Sequence, residues 1–190
     1  MKGLLAGLLD AEGEELARLL ALMGLFFLVI CAIGILRPIK NAVALIGLGA
    51  TNFYEAYVVS AAVVGFVPLY NWLGARVRWR RMISATAVAF ALVLLVFRGA
   101  YREGSPTYGL LFYGWYDLLA AVMVTQFFMA TQLHFDARTA KRFYPVVIAA
   151  GALGATLGGL VTGLAADLLG VPNLMLLAAG LVGTDRKSVV

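Results

Sequence analysis

Cysteine and histidine are almost absent: 190 residues hold one of each, Cys31 and His134. A lone cysteine excludes an internal disulfide, and a lone histidine gives no basis for a metal site. His134 and Asp136 have an HxD spacing, but no nucleophile, second histidine or ligand cluster accompanies them. The chain therefore does not read as an enzyme, and no cofactor is expected. Its glycines lie inside apolar runs rather than after a strand, which excludes a phosphate-binding loop. Charge is scarce too, at 13% of residues, and it clusters between apolar stretches. The net charge of +5 does not imply nucleic acid, because basic loops on one side of a membrane account for it.

Apolar residues are abundant instead. They make up 63% of the chain and raise its mean hydropathy to +0.93. Soluble domains are about half apolar. A bilayer core needs about 20 apolar residues per helix. In lipid each backbone group must find its partner within the protein, so such runs are helices or barrel strands. These runs lack the alternation of strands. The expected fold is all-α, a polytopic transmembrane helical bundle over residues 19–184, with membrane lipid as its surroundings.

Residues 1–18 read as an N-terminal amphipathic segment. Leu4, Leu5, Leu8, Leu9, Leu16, Leu19 and Leu20 recur at helical spacing among Asp10, Glu12, Glu14 and Glu15. The apolar part is brief and acids follow it, so no cleaved signal peptide is expected. The first span starts near Leu19 and reaches Leu36-Arg37-Pro38-Ile39-Lys40-Asn41. Two readings stay open there. A helix ending at Leu36 makes Arg37 and Lys40 interfacial anchors. A helix continuing past Pro38 puts both cations in the outer half of the membrane on one face, where charge is costly and usually functional.

The second span runs from Ala56 to Ala75 through Pro68. Arg76, Arg78, Arg80 and Arg81 follow, four arginines in six residues. They mark a cytoplasmic loop that clamps the bundle or binds acidic headgroups. The third span is Met82 to Phe97, followed by an external turn at Gly104, Ser105 and Pro106. The fourth, Tyr108 to Leu133, contains Asp117. That carboxylate faces a partner, water or the solute path, or else sits at the outer interface beside Trp115 and Tyr116. Thr125, Gln126 and Gln132 add polar groups to the same span.

Arg138, Lys141 and Arg142 lie in a polar loop expected to break at Pro145. An apolar helix follows, charge-free from Phe143 to Ala166. Its Gly151, Gly154, Gly158, Gly159 and Gly163 offer a smooth face to another helix. Asp167 to Asn173 turn the chain into a sixth span, from Leu174 to Gly183, too short to cross. Residues 185–190, DRKSVV, read as a non-native tail on a truncated gene, so the sixth helix is expected to be truncated. With the N-terminus cytoplasmic, the inner side collects nine basic residues and the outer side four, the tail excluded. That asymmetry supports the cytoplasmic N-terminus. The expected location is the cell (inner) membrane, crossed several times.

Three motifs resemble a known family. Ile35-Leu36-Arg37-Pro38-Ile39-Lys40-Asn41 is similar to the first-helix signature of the nucleotide (ATP/ADP) translocases of the plastid and intracellular-bacterial type. Leu69-Tyr70-Asn71 before the arginine loop resembles that family's second-helix exit. Ala140-Lys141-Arg142-Phe143-Tyr144-Pro145 resembles its most specific motif, and Phe112-Tyr113 with Asp117 fits its fourth helix. These translocases are a distant branch of the major facilitator superfamily. The resemblance implies the N-terminal six-helix half of a twelve-helix transporter, a missing C-terminal half, and exchange of nucleotides.

Lys40 becomes the substrate-pathway lysine by the same resemblance. Arg37 and Lys40 suit a phosphate tail, and Asp117 is a counter-charge. Arg76, Arg80, Arg81, Lys141 and Arg142 are the candidate cytoplasmic loop and gating residues. Asn41 and Thr139 stand where the family usually has acids, and these departures favour the alternative of another solute. A non-transporting membrane anchor or sensor of the same fold is the remaining alternative.

Overall fold

Proline and glycine decide where the helices of this chain break, and not every proline does so. The computed structural model describes residues 14–74, 76, 79–134 and 137–188. Every element among them is an α-helix: α1 (Glu14–Asn52), α2 (Tyr54–Val64), α3 (Phe66–Gly74), α4 (Trp79–Gly99), α5 (Pro106–His134) and α6 (Ala137–Ser188). Three stretches are long and apolar enough to cross a membrane, Leu19–Asn52, Pro106–Met129 and Lys141–Ala166. The chain is thus a helical membrane protein.

α1 passes through Pro38 without ending at Leu36. Pro38 has no N–H, so the Gly34 carbonyl loses its helical donor. Hydroxyls from other helices shore up the carbonyls on either side. Tyr116 Oη donates to the Ile33 oxygen at 3.1 Å, and Thr162 Oγ1 donates to the Ile35 oxygen at 3.1 Å. Side-chain hydroxyls commonly re-satisfy a proline-interrupted helix in this way. The break comes later, at Gly49, with φ 71° and ψ 166°. Gly170 breaks α6 with φ 72° and ψ 163°, inside the expected 167–173 turn. Only glycine takes such backbone angles without strain.

Three boundaries differ from the sequence reading. The basic loop does not extend to Pro145, because α6 already starts at Ala137 and runs through it. The bond lost at Pro145 is the one to the Lys141 carbonyl, close to the exposed start of the helix. The second span is divided at Gly65 into α2 and α3. Pro68 then falls in the first turn of α3, where a missing N–H costs little. The last helical limb, residues 171–188, runs past Gly183 and includes the backbone of 185–188 of the expected tail. Residues 1–13 of the amphipathic segment lie outside the described residues, and α1 shows no break between Arg18 and Leu19.

The N-terminus of α5 has its cap. The Tyr108 N–H donates to Ser105 Oγ at 3.4 Å, and Pro106 occupies the first helical position. Gly104 takes φ 74° in the preceding turn.

α1 packs against α6 nearly backbone to backbone. A Cβ at Gly154 would lie 2.5 Å from the Phe27 carbonyl oxygen, and one at Gly34 would lie 2.9 Å from that of Ala155. A Cβ at Gly158 would strike the Cys31 carbonyl oxygen, and one at Gly151 the Phe26 ring. Gly159 and Gly163 meet nothing. The glycine face is therefore used at three of its five positions, and its partner is α1. The core joins Ile35 and Leu36 of α1, Leu94 of α4, Phe112 and Leu119 of α5, and Leu174 and Met175 of the last limb. A second cluster holds Leu19, Phe26, Phe127, Phe143 and Val147, with the Phe26 and Phe127 rings stacked at 4.2 Å.

Gly158→Ala should separate α1 from α6 and lower stability by about 1–3 kcal/mol, the usual range for overpacking. Gly159→Ala, one residue away in open space, should cost nothing and gain up to about 1 kcal/mol of helix propensity. Thermal unfolding of the two variants in detergent checks this; equal melting temperatures would show that the close approach does not exist.

Candidate functional site

Three α5 residues, Tyr113, Tyr116 and Asp117, sit at i, i+3 and i+4 and so share one helix face. α1 brings Lys40 to that face. Lys40 Nζ donates to Asp117 Oδ1 at 2.5 Å, forming a salt bridge. The side chains are 9% and 18% exposed, so the pair is largely shielded. Lys40 Nζ also lies 3.8 Å from the Tyr113 ring centroid and 4.6 Å from that of Tyr116. Two aromatic faces and a carboxylate thus surround one ammonium. The Tyr116 hydroxyl is engaged by the Ile33 carbonyl, which holds its ring in place. Asp117 Oδ2 is buried without a hydrogen-bond donor.

Arg37, one turn before Lys40, has a different position. It is exposed, and its guanidinium lies beside the Tyr116 hydroxyl. The two cations both meet Tyr116, as the reading that placed them on one face expected, but Arg37 is exposed and Lys40 buried. Asn41 is exposed as well. Of the candidate substrate residues, Lys40 and Asp117 are in contact and Arg37 flanks them.

The candidate loop residues are elsewhere. The Arg76 guanidinium stacks on the Trp72 ring at 3.7 Å. Lys141 and Arg142 are exposed at the start of α6. The side chains of Arg80, Arg81, His134, Arg138 and Thr139 lie outside the described residues, as does Asp136. Among the described residues no group of three His, Cys, Asp or Glu side chains gathers as a metal-ligand set.

A second polar cluster lies between α3, α4 and α5. Gln126 Nε2 donates to the Tyr70 hydroxyl and, at 3.0 Å, to Thr86 Oγ1. Tyr70 and Thr86 are themselves 3.3 Å apart. Beside it opens a cleft of about 220 Å³ lined by Phe66, Leu69, Tyr70, Phe90, Leu118 and Val122.

Sequence reasoning missed the aromatic enclosure of Lys40 and the partners of Gln126. The first had a signal in the Tyr113-x-x-Tyr116-Asp117 spacing. The second had none, since Tyr70 and Thr86 stand 56 and 40 residues from Gln126.

Removing one partner of a buried ion pair strands the other charge, at a cost of about 3–5 kcal/mol. Lys40→Met or Asp117→Leu alone should each lose stability on that scale, discounted somewhat for partial exposure. The double variant should recover most of it. Denaturant unfolding in micelles measures this cycle; additive losses would mean that the pair is not coupled. No protein-family model, curated protein or solved structure matches the chain.

Proposed function

We propose that this protein is a secondary membrane transporter that exchanges phosphorylated anions, of the ATP/ADP type, by alternating access. The observation that carries the reading is the Lys40–Asp117 pair, shielded between two membrane-length helices. Charges at such positions are expensive and are retained where a solute or ion passes. A phosphate tail competes with Asp117 for the Lys40 ammonium. Arg37, exposed next to the pair, adds a planar two-pronged donor. Low dielectric strengthens both contacts.

In this reading the bundle is a multi-pass protein of the cell (inner) membrane with a cytoplasmic N-terminus. The basic segments holding Arg76, Arg80, Arg81, Lys141 and Arg142 then lie on the cytoplasmic side. They act as loop contacts that open and close that side. A second helical half supplies the facing wall of the path and rocks against this one. The resemblance of the Lys40 and AKRFYP motifs to nucleotide translocases supports the choice of solute. Asn41, Thr139 and the aromatic enclosure of Lys40 favour a second reading, the same machinery carrying another charged solute.

Counterflow in proteoliposomes tests both. Vesicles preloaded with ADP should accumulate labelled ATP, and Lys40→Ala should reduce the rate at least about tenfold while the protein still inserts. Undiminished exchange by Lys40→Ala would remove Lys40 from the path. Failure to accumulate ATP, with uptake of another anion or cation from a panel, would move the assignment to the second reading.

A further inference from the structure

Lys40 does not merely neutralise Asp117; it fills a space whose walls suit any small monovalent cation. We infer that Asp117, Tyr113 and Tyr116 form a cation site that Lys40 occupies at rest and that a dissolved monovalent cation occupies when an anion draws Lys40 away. The inference rests on the reading of Lys40 as the anion's ligand.

The geometry points to a cation in three ways. Asp117 Oδ2 is buried with no donor, so the carboxylate keeps an open acceptor beside the ammonium. Tyr113 and Tyr116 turn ring faces, with their negative quadrupole, towards the same point at 3.8 and 4.6 Å. The Tyr116 hydroxyl is spent on the Ile33 carbonyl, so that ring cannot rotate its hydroxyl in to replace the lysine.

Charge balance supplies the rest of the argument. The groups facing Asp117 are Lys40 and Arg37 from α1 and Tyr113 and Tyr116 from its own helix, with Tyr57 of α2 next to Tyr113. Lys40 is the cation in contact with the carboxylate. When a phosphate takes the Lys40 N–H bond, the Nζ–H···Oδ1 contact breaks and a Nζ–H···O–P contact forms. Asp117 is left as a shielded carboxylate without its partner, a state that costs several kcal/mol. One positive charge arriving from water restores the balance, and nothing else need change.

The vacated position has the size of an ammonium group and one carboxylate, which suits a proton, Na⁺ or K⁺. It does not suit Mg²⁺ or Ca²⁺, whose two charges a single carboxylate does not balance. Anion binding is then linked to the uptake of one monovalent cation, and the solute crosses with it.

Binding of labelled ATP to the purified protein, with K⁺, Na⁺ and pH varied separately against N-methylglucamine, tests the linkage. ATP affinity should rise about tenfold for each tenfold rise in one of the three cations, the slope for uptake of a single ion. Which cation gives the slope identifies the source. Asp117→Asn should bind ATP with that slope gone. ATP binding by the wild type that is flat in all three would overturn the inference and leave the transporter reading standing. If the wild type binds no ATP, the anion reading falls, and the cation site is judged by itself in Lys40→Ala. Methylammonium should raise the unfolding temperature of Lys40→Ala by several degrees and leave Lys40→Ala/Asp117→Ala unmoved. Equal responses of those two variants would overturn the site.

Discussion

The near-contact of α1 and α6 sets the position of everything else. Gly154 and Gly158 let the backbone of α6 approach the carbonyls of Phe27 and Cys31, and Gly34 returns the relation from α1. In an apolar surrounding there is no hydrophobic drive between helices, so such close van der Waals packing, with a few hydrogen bonds, holds them together. Thr162 supplies one of those bonds, to the Ile35 carbonyl. That bond exists only because the glycines bring α6 near enough to α1. Tyr116 of α5 braces the same turn from another side, at Ile33. The two hydroxyls bracket Gly34, whose carbonyl Pro38 leaves without a donor. α1 therefore continues as a helix to Lys40 and delivers the ammonium to Asp117.

This dependence explains which parts of the fold were legible in the sequence. Apolar length and the shortage of charge identify helices and a membrane, because the bilayer imposes both on any sequence that crosses it. Gly170 broke the chain within the expected turn. Pro38 was undecidable from periodicity. Whether a proline ends a helix depends on what re-satisfies the neighbouring backbone, and here Tyr116 and Thr162 lie 83 and 127 residues away from the carbonyls they bond. Pro145 was misjudged for a related reason, since the bond it removes lies near the start of a helix.

The site was legible as single residues and not as an assembly. Lys40 and Asp117 stood out separately because charge within an apolar run is conspicuous. Their pairing spans 77 residues, and no local pattern encodes it. The aromatic walls were written in the Tyr113, Tyr116 and Asp117 spacing, yet tyrosines in such a span also suit an interfacial belt. Only the register of α1 against α5 separates those meanings, and that register is held by direct contacts of the two helices, among them Gly109 against the backbone of Val43 and Ala44 and Tyr116 on the Ile33 carbonyl.

The two polar clusters of the bundle differ in a way that bears on which of them a solute can use. Gln126, Tyr70 and Thr86 are neutral and bond to one another across three helices. An ion approaching them would have to break neutral hydrogen bonds and would meet no opposite charge, while the cleft beside them is walled mainly by Phe, Leu and Val. Such a cluster ties α3, α4 and α5 together. Lys40 and Asp117 are held chiefly by their opposite charges, so another charge can replace either partner, provided the one displaced finds a counter-charge of its own. An anion can take the lysine, and a cation can take the aspartate. Arg37 stands exposed at the edge of the pair. Opposite charges, a neighbouring exposed arginine and shielded surroundings occur together at the ion pair and not at the neutral cluster, which is why the proposed solute path runs between α1 and α5.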